Sequence, residues 1–92
     1  MRTINNNDLD LYLYIKEFVK ENGISPTYRE ITKNTNYNSI AGVRHSIDKL
    51  EDLKFIKSIR DENDRVIARS IKIIDNEYTK KEIKKLRDKS NE

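Results

Sequence analysis

Apolar residues recur at intervals of three and four through the middle of the chain: Ile40, Val43, Ile47 and Leu50. That spacing lays one apolar stripe along a helix over 39–53. Ser39 stands just ahead of it, with a hydroxyl suited to the free amides of the first turn. Leu11, Tyr12, Ile15, Phe18 and Val19 keep the same period, widened by Leu9, Leu13 and Tyr14, and predict a helix from about Asp8 to Asn22. Asn7 or Asp8 would cap it and Gly23 would close it, and its broad stripe makes it the most buried element. Ile24, Ser25 and Pro26 are expected to be extended, with Ile24 in a very short strand. Thr27 and Glu30 have capping-box spacing. They start a second helix at Tyr28 that runs to Asn34 or Thr35, with Ile31 as its core residue and Tyr37 plugging the polar turn that follows. After residue 54 the helical period gives way to alternation. Phe55–Arg60 and Arg65–Ile74 read as two strands joined by the turn Asp61–Asp64. Residues 75–92 are mostly charged, with a narrow stripe of Tyr78, Ile83 and Leu86 and a second capping-box spacing at Thr79 and Glu82. They form a short fourth helix or a tail.

A short helix, a tight turn and an amphipathic helix have helix-turn-helix spacing, and a hairpin directly after them is a wing. The expected fold class is α+β, mainly α. It is a winged helix-turn-helix of three helices and a two-stranded wing over 1–74, followed by a charged C-terminal helix or tail over 75–92.

Composition narrows the function classes. At 92 residues, with 35% apolar and 38% charged residues, the chain can bury one thin core inside a charged shell. A net charge of +3 is compatible with a polyanionic partner and does not demand one. No cysteine is present, which excludes disulfides and thiolate metal sites, and one histidine cannot build a histidine-rich metal centre. No cofactor, metal or catalytic residue is therefore assigned. Glycine-rich phosphate loops, nucleophile elbows and zinc spacings are all missing from the sequence, and its carboxylates alternate with lysines as on solvated helix faces. No apolar run reaches membrane-spanning length, and MRTINNNDLD has no signal-peptide core, so a cytoplasmic protein with no membrane contact is expected.

The chemistry then concentrates on the helix over 39–53. Opposite its apolar stripe it carries Ala41, Gly42, His45, Asp48, Lys49 and Asp52, with Arg44 on the flank. Two small residues near the start suit close approach, and Gly42 costs the helix about 1 kcal/mol relative to alanine. Such a face fits a helix whose N-terminal end enters the DNA major groove. Arg44 is a candidate for a bidentate guanine contact or a phosphate contact, and His45 for either kind. Lys49 is a candidate phosphate contact. Thr27, Tyr28 and Arg29 lie at the start of the second helix, where amides and dipole favour a phosphate, although Tyr28 is equally suited to the core. In the wing Lys57, Arg60, Arg65 and Arg69 supply enough cations for one or two backbone contacts, Lys57 and Arg65 being the chosen candidates.

The segments YIKEFVKENGISPTYREIT, YNSIAGVRHSIDKLEDLKFI and RSIKII resemble, in that order, the N-terminal DNA-binding domain of LexA-type repressors. The Gly-x-x-Pro-Thr-x-x-Glu-Ile element, met by Gly23, Pro26, Thr27, Glu30 and Ile31, is the most specific part of a likeness covering about residues 4–74. The resemblance implies that the helix over 39–53 enters the major groove, with Ser39, Ala41, Gly42, Arg44 and His45 where the family reads bases. Three departures stand out. Lys54 replaces the glycine that usually ends this helix, the wing is longer with an acidic tip, and the sequence stops where a self-cleaving, dimerising domain would follow. The expected protein is thus a stand-alone regulator of phage or mobile-element type, a repressor of double-stranded DNA targets without autoproteolysis. It would act as a weak or DNA-assisted homodimer on paired half-sites. The alternative is a winged-helix protein-interaction module that docks on a partner regulator or host factor.

Overall fold

The computed structural model describes residues 4–90; residues 1–3 and 91–92, the outer ends of the expected domain and tail, lie outside them. Among the described residues, α1 spans Asn6–Asn22, α2 Tyr28–Asn34, α3 Ile40–Asp52 and α4 Glu77–Ser90. Strand β1 (Ile56–Lys57) pairs antiparallel with β2 (Lys72–Ile73), Ile56 opposite Ile73 and Lys57 opposite Lys72. Helices α2 and α3 make the helix-turn-helix and the hairpin makes the wing, so the fold is a mainly helical, winged helix-turn-helix α+β fold.

Helix α1 starts earlier than the apolar period suggested. Asn5 is the cap: its side-chain oxygen accepts the Asp8 amide at 2.9 Å, and the Asp8 carboxylate accepts the Asn5 amide at 3.1 Å. Asp8 is therefore the far half of a capping box and not a cap itself. At the other end Gly23 takes the left-handed conformation, φ 75°, and its amide reaches the Val19 carbonyl at 2.8 Å. Leu11, Tyr12 and Ile15 from α1 meet Ile31 from α2, Val43, Ile47 and Leu50 from α3, and Phe55, Ile56 and Ile71 from the wing in one core. The Tyr12 and Phe55 rings meet edge to face, 5.8 Å apart. Ile24 forms no strand and is exposed. Its neighbour Ser25 makes the long-range link instead, its buried hydroxyl accepting the Ile71 amide at 3.2 Å.

The end of α3 solves the missing glycine in an unexpected way. Lys54 itself adopts φ 68°. Its amide donates to the Glu51 carbonyl at 3.1 Å and the Phe55 amide to the Leu50 carbonyl at 2.9 Å. This is the hydrogen-bond pattern of a Schellman motif, closed by the apolar pair Leu50 and Phe55. A side chain in that conformation costs about 1 kcal/mol or more, partly offset on substitution by the larger unfolded-state freedom of glycine. Lys54→Gly is therefore expected to stabilise the protein by about 0.5–1 kcal/mol. For a domain of this size that should raise the melting temperature by roughly 3–6 °C in a circular-dichroism melt. An unchanged or lower melting temperature would contradict this account of the cap.

The wing is less regular than two continuous strands. Beyond the β1–β2 pairs the two arms form a further backbone bridge between Arg60 and Val66, and the Ser70 hydroxyl bonds the Ile59 backbone, so residues 58–59 on one arm face residues 67–71 on the other. The surplus is taken up by a turn in which Ser70 donates its amide to the Ile67 carbonyl and Arg69 has φ 61°. At the tip the Asp61 carboxylate accepts the amides of Asn63 and Arg65, at 2.9 and 3.0 Å. These bonds explain why an acidic residue opens this turn. Helix α4 forms and packs on α1. Its start lies one turn ahead of the expected Thr79–Glu82 box. Asn76 and Thr79 cap it reciprocally, each accepting the other's amide at 3.0 Å. Thr79 is fully buried, Ile83 packs on the core, and Tyr78 stays half exposed beside Phe55.

Candidate nucleic-acid interface

Helix α3 is held on two sides and open on a third, and each side assigns part of its sequence. The buried row is Val43, Ser46, Ile47 and Leu50. Ile40, expected in that row, is instead 38% exposed. It lines a groove of about 310 Å³ together with Pro26 and Tyr28 at the start of α2 and Val66, Ile67 and Ile71 of the wing. The first helical residue extends past the core that the later residues of the stripe reach.

A second row, Gly42, Ser46 and Lys49, faces the turn and the start of α1. The Tyr37 hydroxyl lies 2.6 Å from the Ser46 hydroxyl and 3.5 Å from the Asp8 carboxylate. The Lys49 ammonium sits 2.6 Å from the same carboxylate, with Lys49 13% and Asp8 1% exposed. Tyr37 thus plugs the turn as expected, through a polar network as well as its ring. Two sequence assignments change here. A Cβ on Gly42 would point at the Ser39 hydroxyl and the Tyr37 ring, at 3.4 and 3.5 Å. Gly42 therefore packs against the turn and does not open the outer face. Lys49 is held by a buried carboxylate and is not placed to meet a phosphate.

The third row is open. Ser39, Ala41, Arg44 and His45 are all exposed, and the Ser39 hydroxyl caps α3 by accepting the Gly42 amide at 3.1 Å. The first turn of α3 carries no acidic residue. One and two turns later the character reverses at Asp48 and Glu51. Arg60 crosses from the wing to meet both: Nη2 donates to Asp48 at 2.8 Å and Glu51 at 2.5 Å, and Nη1 donates to the Asp64 carbonyl at 3.0 Å. The Ser58 hydroxyl donates to the other Glu51 oxygen at 2.9 Å. The hydrogen bonds to Asp48 and then Glu51 raise the pKa of the guanidinium above its ordinary value. The residues around the tip thereby become part of the surroundings of α3.

The start of α2 divides in the same way. The Thr27 hydroxyl accepts the Glu30 amide at 3.2 Å, and the Glu30 carboxylate accepts the Thr27 amide at 2.8 Å. The Thr27 amide, above all, lowers the pKa of that carboxylate below its ordinary value. Arg69, one of the wing cations, bonds Glu30 at 3.1 Å and the Ser25 carbonyl at 3.1 Å, which fastens the wing to α2. Arg29 is exposed. Tyr28 is not a free phosphate ligand: its hydroxyl is buried and has no hydrogen-bond partner among the described residues. Burial, then the Asp48 carboxylate, raises the pKa of that phenol, with Arg60 and Arg44 opposing.

Of the wing cations, Arg60 and Arg69 are tied internally, whereas Lys57 and Arg65 are exposed. The sheet register adds Lys72, which sequence reasoning passed over. It stands directly opposite Lys57 and both are exposed. Like charges in that position repel, so the pair concentrates positive potential at the base of the wing. No period or motif marks Lys72; only the pairing register does. Among the described residues there is no group of acidic and histidine side chains that could hold a metal ion, and no helix long and apolar enough to cross a membrane.

The arrangement is thus a helix exposing a polar, cation-bearing N-terminal half, flanked by Arg29 on one element and by Lys57, Arg65 and Lys72 on another. No curated protein shows significant similarity to the chain. A family model described as the LexA DNA binding domain matches residues 1–65, which takes in α1, α2, α3, β1 and the turn of the wing. With that match over most of its length, the chain belongs to the LexA DNA-binding domain family.

Proposed function

We propose that this protein is a sequence-specific double-stranded DNA-binding transcriptional repressor of phage or mobile-element type, working in the cytoplasm. Family membership supports DNA binding by a regulator. The observation that carries the finer reading is the open row of α3, where Ser39, Ala41, Arg44 and His45 lie exposed beside a first turn free of carboxylates. That end would enter the major groove, where these side chains can reach base edges. Arg29 on α2, with the exposed Lys57, Arg65 and Lys72 of the wing, would meet phosphates and fix the register. Residues 1–74 would form the binding domain and 75–92 its appended helix.

One recognition helix covers only a few base pairs, so useful specificity calls for two copies on related half-sites. A weak or DNA-assisted homodimer meets that need. Selection of bound sites from a random duplex library at about 0.15 M salt tests the whole reading. The expected product is a motif with two related half-sites, bound with an affinity that falls steeply as salt rises. Failure to enrich any motif would refute specific DNA binding. It would favour the second reading, a module docking on a partner protein, for which the apolar groove between Ile40, Pro26 and Ile67 is the supporting observation.

A further inference from the structure

Asp48 and Glu51 lie three residues apart on α3, in the half that follows Arg44 and His45. Asp48 is one helical turn beyond Arg44, about 6 Å along the axis, and its side chain is 42% exposed. A duplex seated against Arg44 would bring its phosphates within a Debye length, about 8 Å at physiological salt, of both carboxylates. Two unscreened anions there would oppose a polyanion carrying one charge per about 1.7 Å of axis. Arg60 occupies the space between them. One nitrogen of its guanidinium contacts both carboxylates, and the other holds the tip carbonyl of Asp64. Its backbone is fixed by the bridge to Val66.

We propose that Arg60 is a positioning residue for DNA binding that acts without touching DNA: it offsets one of the two negative charges of Asp48 and Glu51, so that an otherwise more acidic helix can lie against phosphates. The inference rests on the proposed docking of α3 in the major groove. It explains how a near-neutral recognition helix serves a DNA-binding domain. The cation that offsets part of its charge comes from the wing, and Nη1 and Nη2 of that cation donate to protein acceptors.

The test compares three variants with wild type on the operator recovered by site selection, over a range of salt, each checked for folding by its melting curve. Arg60→Ala should weaken binding about tenfold near 0.15 M salt, and the deficit should shrink as salt screens the exposed carboxylates. Arg60→Ala combined with Asp48→Asn and Glu51→Gln should return affinity to within about threefold of wild type. Asp48→Asn with Glu51→Gln alone should bind at least as tightly as wild type, because Arg60 is then an unbalanced cation. That variant keeps the test decisive if Arg60→Ala fails to fold. If Arg60 acted only by holding the wing in place, the triple variant would stay as weak as Arg60→Ala and the two-site variant would lose affinity. Either result, or an unchanged Arg60→Ala, overturns the proposal. Failure of wild type to bind any duplex would instead overturn the docking of α3 on which it rests.

Discussion

Lys49→Ala is expected to damage the fold and leave the grip on DNA intact, the reverse of what a surface lysine on a recognition helix suggests. The Asp8 carboxylate is 1% exposed and its short side chain is fixed at the start of α1 by the reciprocal cap with Asn5. It cannot turn outward if the ammonium 2.6 Å away is removed. Removing one partner of a buried ion pair costs about 3–5 kcal/mol, because the remaining charge is stranded. The Asn5 amide and the Tyr37 hydroxyl still face this carboxylate, so the low end, about 3 kcal/mol, is the expected loss. That is a large share of the roughly 5–14 kcal/mol a domain of this length possesses, and it should lower the melting temperature by roughly 15 °C. Asp8→Ala should cost less, about 1–2 kcal/mol: the cap is lost, but the long lysine stem can carry its ammonium to water. Adding Asp8→Asn to Lys49→Ala removes the stranded charge while keeping an acceptor for the Asn5 amide, and should recover more than half of the loss. Denaturant melts of the four proteins measure these differences. DNA affinity, read where each variant is fully folded, should stay within about twofold of wild type. A normal melt with affinity reduced on every sequence, and a salt slope smaller by about one, would instead return Lys49 to the phosphate contacts.

The case of Lys49 shows where sequence patterning reaches its limit. The helix over 39–53 was legible because its apolar stripe, its Ser39 cap and its distance from the Thr27–Glu30 box each follow from local chemistry. The same local rules gave α2 its limits and the turn its plug at Tyr37. What they could not supply was the neighbour facing each remaining side of α3. A helical wheel places Gly42 and Lys49 outside the apolar stripe, yet α1 approaches from that side and brings a buried carboxylate. Asp8 read as a cap because its counterpart Asn5 lay three residues upstream in a polar stretch without a visible period.

The wing is present, and its strand lengths were not legible for a related reason. Its β-branched run from 65 to 74 predicted one strand, but the excess of residues on that arm is absorbed by a turn at Ile67–Ser70, leaving two short pairings. Register is a tertiary property, and with it came two contacts on which the proposed function draws: Lys72 beside Lys57, and Arg60 across Asp48 and Glu51. The exposed candidates that remain on α3, Ser39, Ala41, Arg44 and His45, share a side of the helix that no other described element covers.

Arg44→Ala should then produce the largest loss in DNA recognition of any substitution on that side. Arg44 is exposed in the second turn of α3, next to His45, and no carboxylate lies between it and the Ser39 cap. A guanidinium there can take guanine O6 and N7 together, a pairing worth about 1–3 kcal/mol against the wrong base, or roughly 5–150-fold in affinity. The loss should fall on the selected operator and largely spare random duplex, and specificity should relax at one base position in each half-site. Arg44→Lys separates the two contacts open to this residue. Lysine keeps the charge but not the fork, so it should fail to rescue a guanine contact and largely rescue a phosphate contact. A phosphate contact would also show as a uniform loss with a salt slope shallower by about one. Affinity within about twofold of wild type for Arg44→Ala would mean that this row of α3 does not face the bases. The reading surface would then have to be sought along the groove that Ile40 shares with the wing.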